Sequence, residues 1–254
     1  MGTVAENQRL WSGYDWSQGG DEWSEVWGGS EALWWGTLYP RLRHVLPAGT
    51  LLEIAPGFGR FTRFLKDHCD RLIGVDLTER CVEACRRRFA GDSRLEFHVN
   101  DGTSLPMIED RSIDLAFSFD SLVHVEIDVV EAYLGELARV LVPDGLAVLH
   151  HSNLAALFVD GALPFENRHW RAESVSARLL AEAGERAGLA CIGQELVNWG
   201  RDELTDCFSV ITPAGSRRRR PAAVIENAAF MAEAARVAEL ARVYRPSIEV
   251  AEGP

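Results

Sequence analysis

The stretch EIAPGFGRF, residues 53–61, decides the fold because it joins two different patterns. The apolar run LLEIA (51–55) is typical of a short buried strand, and FTRFLKDHC (61–69) has the spacing of a helix. Gly57 and Gly59 let the backbone approach a ligand closely. The helix that follows offers free N–H groups and the positive end of its dipole. The stretch therefore predicts a strand, a tight turn and a helix, with a nucleotide-like ligand at the turn.

Strand and helix patterns continue to alternate after this turn. Further strands are predicted at RLIGV (71–75), LEFHV (95–99), IDLAFSF (113–119), LAVLHH (146–151), CIGQELV (191–197) and DCFSVIT (206–212). Helices are predicted over 31–46, 79–89, 129–141 and 172–187, and the turn Pro143-Asp144-Gly145 is expected before the fifth strand. The last two strands are too close together for a crossover helix, so we expect them to pair antiparallel. The pattern predicts an α/β fold, a Rossmann-like seven-stranded doubly wound sheet with its last strand antiparallel.

The ends of the chain predict two additions to this core. Residues 1–35 hold six of the eight tryptophans, which is too aromatic for a disordered tail. We therefore expect residues 1–46 to form a Trp-rich cap or lid over a core of residues 47–213. Near its start, the segment 214–254 contains SRRRRP (216–221), interpreted as a solvated basic linker, and it continues with a helical stripe containing Val224. This Ala-rich tail is compatible with a homodimer.

Composition excludes several classes of function. A formal net charge of -12 disfavours nonspecific nucleic-acid binding. No run of about 18 apolar residues predicts a membrane helix, and the N-terminus lacks the pattern of a signal peptide. The five cysteines form no CxxC pair, so we expect reduced thiols rather than a zinc site. These features predict a cytoplasmic protein that binds neither nucleic acid nor membrane.

Two acidic positions strengthen the prediction of a nucleotide site. Asp76 ends the second strand, 17 residues after Gly59, where a carboxylate can accept both hydroxyls of a ribose. Asn100-Asp101-Gly102 ends the third strand, where an Asp or Asn can accept from the amine of an adenine. A dinucleotide oxidoreductase usually has a third glycine where this chain has Thr62.

Over residues 50–212 the chain resembles the class I S-adenosylmethionine-dependent methyltransferases. EIAPGFG fits their first motif, E/D-x-G/A-x-G-x-G, with Ala55 where many members have glycine. Acids after strands two and three and a P-x-G turn before strand five also agree. The resemblance implies S-adenosylmethionine as cofactor. It implies the following cofactor-binding residues: Glu53, Ala55 and Gly57 near the methionine portion, Asp76 at the ribose, Asp101 at the adenine amine, Ser118 and Phe119 at the cofactor edge, and Gly59, Leu77, Asn100 and Gly102 beside them.

Three polar segments are expected to form the acceptor site, because ligands bind at the carboxyl ends of strands in an open parallel sheet. They are FDSLVHVE (119–126), HHSN (150–153) and NRHWR (167–171). We predict His124 or His151 as the base and Asp120 as the residue that orients either the base or the substrate. His150 and His151 alternate, so only one should face the site, and His151 is nearer the strand's end. The predicted substrate-binding residues are Glu126, Asn153, His169, Trp170 and Trp16.

These histidines favour transfer to oxygen, since a hydroxyl needs a base and an unperturbed imidazole has a pKa of about 6.5. The sequences of these motifs also resemble those of bacterial enzymes that O-methylate sugars and polysaccharides. We therefore predict an O-methyltransferase acting on a hydroxyl of a sugar, an oligosaccharide or a glycosylated metabolite. Two alternatives stay open: an N-methyltransferase of an amino sugar or small amine, and a non-catalytic, cofactor-binding partner subunit.

A magnesium site is compatible with the sequence but not required by it. Some O-methyltransferases of this fold hold Mg²⁺ through an Asp after strand four and a later Asp-Asn pair. Asp120 and Asn153, with Glu126, would supply oxygen ligands of the right hardness. The Asp-Asn dipeptide itself is absent from the chain.

Overall fold

The computed structural model describes residues 2–244, except for the side chains at positions 234, 238 and 241. One sheet of eight strands has the order β3-β2-β1-β4-β5-β7-β6-β8. The strands are β1 (Ala48–Ile54), β2 (Cys69–Asp76), β3 (Leu95–Val99), β4 (Ile113–Ser118), β5 (Leu141–Ser152), β6 (Leu189–Val197), β7 (Asp206–Pro213) and β8 (Ala223–Asn227). The pairs from β3 through β5 are parallel, whereas β7 pairs antiparallel with both β5 and β6. The predicted Rossmann-like sheet with an antiparallel strand near its end is confirmed.

Helices connect the strands and cover both faces of the sheet. They are α1 (Val4–Gly13), α2 (Ser30–Leu33), α3 (Tyr39–Leu42), α4 (Thr62–Leu65), α5 (Glu79–Arg88), α6 (Ile127–Val140), α7 (Ala177–Arg186) and α8 (Phe230–Ala241). Leu51 belongs to one buried cluster and Leu52 to another, so the two faces of β1 pack against separate cores. Burial on both faces explains why the parallel strands are continuously apolar. No helix within residues 2–244 is long and apolar enough to cross a membrane.

An eighth strand, β8, was missed in the sequence. Val224 was expected on a helical stripe, but it pairs with Gln194 at the parallel edge of β6. Hydrogen bonds along an open sheet edge outweigh the helical preference of the neighbouring alanines, and the Val-Ile pair suits a strand. The helix begins only at Phe230, which is fully buried. The tail therefore adds a strand to the core sheet.

The segment before β5 also differs from its prediction. Pro143-Asp144-Gly145 is not a separate turn, because β5 begins at Leu141 directly after α6 and contains it. A Cβ at Gly145 would lie 2.9 Å from the carbonyl oxygen of Ile113, so this close strand approach requires glycine. The pairing of β4 with β5 shifts register at this point.

Two predicted helices are shorter or interrupted. The 31–46 segment is broken into α2, a π-helical turn over 34–38 and α3. Its Trp34 is fully buried and stacks on Phe64 at 5.5 Å between centroids, so packing against α4 replaces a regular helix. The helix expected from residue 172 begins at Ala177, capped by the Ser176 side chain.

Candidate active site

A cavity opens at the carboxyl ends of β1, β2 and β4, under the N-terminal segment. It encloses about 1010 Å³, including its mouth. The turn after β1, the end of β2 and the segment after β4 form its base. α1 and the tryptophan-rich segment that follows it form its roof. The N-terminal segment thus lies over the cavity, where a lid was expected, while the division of the chain into three domains stays a prediction.

Alternating left-handed backbone shapes the turn after β1. Ala55, Gly57 and Gly59 have φ angles of 57°, 58° and 81°. Such angles favour glycine, and the small Ala55 is the one residue of the three that is strained by its own Cβ. A Cβ at Gly59 would lie 2.6 Å from the ring of Phe89, so a larger residue there would displace α5. The small residues of the turn thus let its backbone approach the cavity.

Asp76 lies where the prediction placed it, at the end of β2 and on the cavity wall. Its carboxylate accepts from the Gly57 N–H at 3.1 Å and from the N–H and hydroxyl of Thr78 at 2.9 and 3.0 Å. It is only 6% exposed, and burial raises its pKa to about 6 despite these donors. The acid therefore fixes the glycine turn and keeps oxygen lone pairs at the cavity.

Glu53 lines the cavity at the end of β1. The Thr62 hydroxyl donates to its carboxylate at 2.5 Å. Burial raises the pKa of Glu53 to about 7, although Thr62 and the positive charge of Arg60 act in the opposite direction. A cationic ligand beside it would favour the ionised form.

The end of β3 differs from the prediction. Asp101 is exposed and accepts from the backbone N–H groups of Thr103 and Ser104 at 2.8 and 2.7 Å, which lowers its pKa to about 2. Its carboxylate thus caps its own loop and does not line the cavity, whereas Gly102 does. Asn100 does not line the cavity either; its Nδ2 donates to the hydroxyl of the cavity-lining Tyr133 at 2.8 Å, and within residues 2–244 its buried Oδ1 atom has no hydrogen-bond partner.

Leu77 and Phe119 line the cavity as expected, but Ser118 does not. The Ser118 hydroxyl is fully buried and donates to the Ile54 carbonyl oxygen at 3.0 Å. It ties β4 to β1 beneath the cavity. Its predicted contact with the cofactor edge has no support in the geometry.

The roof of the cavity is a cluster of aromatic rings. The centroids of Trp11, Trp16 and Trp23 lie 5.3–6.3 Å apart. Trp16 stacks on Phe58 at 4.8 Å with an interplanar angle of 5°, and its ring would be 3.0 Å from a Cβ at Gly57. Trp16 was predicted at the acceptor, but it covers the glycine turn instead.

Asp120 lies on the cavity wall and joins a buried network of charges. Its carboxylate pairs with Arg60 at 3.0 Å and Arg171 at 3.6 Å. Arg171 also pairs with Asp206 at 2.9 Å, and Asp206 contacts His150 Nε2 at 3.1 Å. His150 Nδ1 accepts from the Asp120 N–H at 3.0 Å, so the proton of the neutral ring is on Nε2 and is donated to Asp206. The network holds the segment after β4 in place.

Two residues of this network, Arg60 and Asp206, were not predicted at the site, whereas His150 and Arg171 belong to segments expected there but were assigned no role. Their side chains are at most 6% exposed. In the sequence, Arg60 is visible only as an Arg in the glycine turn, and Asp206 only as an Asp at the start of a buried strand. Neither signal identifies its partner, because Arg60 and Asp120 are 60 residues apart and His150 and Asp206 are 56 apart.

The choice of His151 over His150 was wrong. His151 is fully buried on the other face of β5, where its Nδ1–H donates to the Ser152 carbonyl oxygen and its Nε2 accepts from the Ser209 hydroxyl, both at 2.8 Å. Burial lowers its pKa to about 4. Both ring nitrogens are occupied away from the cavity, so His151 cannot serve as its base.

His124 lies at the edge of the cavity, next to the lining residues Leu122 and Val125. Its Nδ1–H donates to the Trp170 carbonyl oxygen at 3.1 Å, because a carbonyl can only accept. Within residues 2–244 no hydrogen bond engages Nε2, which therefore carries a free lone pair. Burial, followed by the charge of Arg171, lowers its pKa to about 4, so the ring is neutral at physiological pH. The Trp11 ring packs 5.4 Å from it.

Two predicted substrate-binding residues have structural roles instead. Glu126 accepts from the backbone N–H and hydroxyl of Ser174 at 3.0 and 2.6 Å, which joins the start of α6 to the loop before α7. Asn153 is 2% exposed; its Oδ1 accepts from the Ala177 N–H and its Nδ2 donates to the Leu204 carbonyl oxygen, both at 2.9 Å. Neither side chain reaches the cavity.

His169 and Trp170 lie outside the cavity as well. Trp170 is 51% exposed, and only its carbonyl, bonded to His124, connects it to the site. His169 lines a second cleft formed by the loops after β5 and before β7.

The predicted magnesium ligands do not fit a metal. Asp120 is held between two guanidinium groups, and both polar atoms of Asn153 are used by backbone groups. Within residues 2–244 no cluster of three or more His, Cys, Asp or Glu side chains is arranged to hold an ion. We therefore assign no step to a metal.

The chain is similar to known methyltransferases. Residues 52–149 match a family described as a methyltransferase domain. A demethylmenaquinone methyltransferase of Clavibacter sepedonicus is 34% identical over 125 residues, 48% of this chain and 48% of that protein. A phosphoethanolamine N-methyltransferase of Triticum aestivum is 31% identical over 119 residues, 44% of this chain and 24% of that protein. The chain thus spans less than half the length of either relative.

A solved structure has the same fold. An S-adenosylmethionine-dependent methyltransferase from Mesorhizobium loti superposes with a TM-score of 0.52 at 22% identity, over 68% of this chain and 96% of that one. Residues 52–149 thus match a methyltransferase domain, and the chain shares the fold of an S-adenosylmethionine-dependent methyltransferase.

Proposed function

We propose that this chain transfers a methyl group from S-adenosylmethionine to a hydroxyl of a sugar, an oligosaccharide or a glycosylated metabolite, with His124 as the general base. The observation that carries the proposal is the state of His124. Its Nδ1–H is fixed by the Trp170 carbonyl, and its Nε2 lone pair is free beside a cavity with an aromatic roof.

The residues of the cavity fit the cofactor. Asp76 presents carboxylate oxygens for the hydroxyls of a ribose. Glu53 adds a buried carboxyl group that a positive charge would ionise. S-adenosylmethionine, when bound, supplies an electrophilic methyl group on a sulfonium ion.

The protein's part in the chemistry is alignment and the handling of one proton. The acceptor oxygen must meet the methyl carbon in line with the breaking carbon–sulfur bond, and the walls of the cavity restrict that approach. As the new carbon–oxygen bond forms, the hydroxyl proton passes to His124 Nε2. The Trp170 carbonyl keeps the ring oriented, and Asp120 nearby favours the resulting imidazolium. The tryptophan roof excludes water, which would otherwise compete for these groups.

A second candidate is transfer to the nitrogen of an amino sugar or small amine. The observation in its favour is the ring cluster Trp11, Trp16 and Trp23, because aromatic faces attract cations. A neutral amine needs no base, so this candidate gives His124 no catalytic role.

Calorimetric titration with S-adenosylhomocysteine tests the first step, and saturable binding is expected. Transfer of a labelled methyl group from S-adenosylmethionine is then measured on saccharides without an amine, both neutral and acidic, and on amino sugars and small amines. Product on saccharides without an amine supports the proposal, and product confined to amines supports the second candidate. Absence of cofactor binding would overturn both.

A further inference from the structure

A second cleft lies beside the first, between the loop after β5 and the loop before β7. It encloses about 870 Å³, including its mouth. Arg171 lines this cleft and also contacts Asp120, which lines the cofactor cavity at 3.6 Å from the guanidinium. This ion pair therefore connects the walls of the two spaces.

A buried hydroxyl in the cleft lacks a partner. Thr205 is 4% exposed and lines the cleft, and within residues 2–244 its Oγ1 atom makes no hydrogen bond. Buried polar side chains are nearly always hydrogen-bonded, and leaving one unpaired is destabilising. An unpaired hydroxyl in this position indicates that a ligand atom forms the missing hydrogen bond.

Hydrogen-bond donors dominate the walls of the cleft. Three arginines, Arg168, Arg171 and Arg201, line it together with a single carboxylate, that of Glu166. Arg201 bonds Glu203 through Nε alone, so within the described residues its two terminal nitrogens stay available. Its guanidinium carbon lies 3.4 Å from the Phe165 ring centroid, and this stacking fixes its orientation. A ligand for these walls must supply acceptor oxygens, and preferably negative charge.

His169 is consistent with the same chemistry. It stands against Gly200, where a Cβ would be 2.9 Å from Nε2, so glycine makes room for the ring. Burial and the charge of Arg171 lower its pKa, so the ring is neutral and can still donate one hydrogen bond. Trp199, which also lines the cleft, adds an apolar surface.

We propose that this second cleft binds an oxyanion, a carboxylate or a phosphate, carried by the acceptor molecule. The proposal rests on the proposed function, since it assigns the cleft to the same acceptor. The acceptor is then an acidic or phosphorylated compound, and Arg171 connects its recognition to the wall of the cofactor cavity.

The test measures binding of inorganic phosphate and of acetate at constant ionic strength by calorimetry or NMR titration. Wild-type protein is compared with Arg201→Gln, Thr205→Val and the control Arg218→Gln, whose arginine is exposed and remote from the cleft. We expect saturable binding of at least one anion, about tenfold weaker in the Arg201 and Thr205 variants and unchanged in the control. Arg201 is at the surface, so its variant is informative even if Thr205→Val fails to fold.

Two outcomes overturn the proposal: no saturable binding of either anion, or equal binding in all four proteins. Titration with S-adenosylhomocysteine in parallel separates the two hypotheses. Loss of cofactor binding with anion binding retained refutes the proposed function and leaves the cleft an anion site. The source of the charge follows from acceptor assays with glucuronate, glucose 6-phosphate and glucose, where an Arg201→Gln variant should raise KM for the charged acceptor rather than lower kcat.

Discussion

The two sides of the cavity differ in which groups bind their carboxylates. On the cofactor side, Asp101 is held by the N–H groups of residues two and three positions ahead, and Asp76 by Thr78 and the glycine turn. On the acceptor side, Asp120 and Asp206 are held by arginines and a histidine 35 to 60 residues away. The cofactor side is thus built from local turns, and the acceptor side from long-range ion pairs. Substitutions on the acceptor side should therefore lower the stability of the whole fold.

The largest effect is expected from Asp206→Asn. It leaves Arg171 without its fully buried counter-ion, and breaking one side of a buried pair costs about 3–5 kcal/mol. Chemical denaturation should show that loss in the free energy of unfolding. The control Glu182→Gln breaks an exposed i,i+4 pair with Arg178 and should cost about 0.5 kcal/mol or less. A loss below about 1 kcal/mol for Asp206→Asn would mean that the network does not hold the acceptor side together.

His124→Ala should lower kcat on a hydroxyl acceptor by at least about 100-fold, the usual contribution of a general base. Affinity for S-adenosylhomocysteine should stay within about twofold, because His124 does not line the cofactor part of the rim. Steady-state kinetics and calorimetry measure the two quantities. His98→Ala, on the far strand β3, is the matched control. Turnover near that of wild type would indicate that another residue is the base or that the acceptor is an amine.

Glu53→Gln should make the ligand-free protein more stable relative to wild type, and this gain should be larger at pH 8 than at pH 5. The folded state raises the pKa of Glu53 to about 7 from 4.5, so it holds a proton that the unfolded chain has released. Stability from this group is therefore present at low pH and lost as pH rises through 7. Thermal unfolding at both pH values should show a relative gain on the order of 2 kcal/mol for the variant.

The contrasting variant is Asp101→Asn. In wild type, the pKa of the Asp101 carboxyl is lowered to about 2. Its contribution to stability is therefore complete above the pKa that Asp101 has in the unfolded chain, and it is lost only in acid. The stability difference from wild type should be the same at pH 5 and pH 8. An equal pH response of the two variants would contradict the different environments assigned to them.

The smallest effect is expected from chelation. Because Asp120 and Asn153 are both engaged by protein groups, EDTA should leave turnover unchanged, and added Mg²⁺ should not raise it. Initial rates with and without the chelator measure this. A loss of activity that Mg²⁺ restores would show that the acceptor side rearranges around an ion.

Sequence patterns predicted the local half of the molecule well. The turn EIAPGFG and the strand ending in Asp76 depend on glycines, apolar runs and neighbours within a few residues, all visible in the chain. The fold class followed from the alternation of the two periodicities and is confirmed.

The acceptor half could not be predicted in the same way. His150 and His151 are adjacent, and only the pairing of β5 with β7 decides which ring meets Asp206. Asn153 and Glu126 have the residue types of a polar site, yet each serves a backbone group in a remote segment. β8 depends on an edge that exists only after β6 has joined the sheet. Such contacts leave no local signal.

The tryptophan roof gives the protein a built-in optical probe. Trp11, Trp16 and Trp23 are close enough for their excited states to couple, and Trp16 lies directly over the glycine turn. Opening of the roof would separate these chromophores and alter both the emission spectrum and the near-ultraviolet circular dichroism. Entry of a cofactor could therefore be followed in real time on the unlabelled chain.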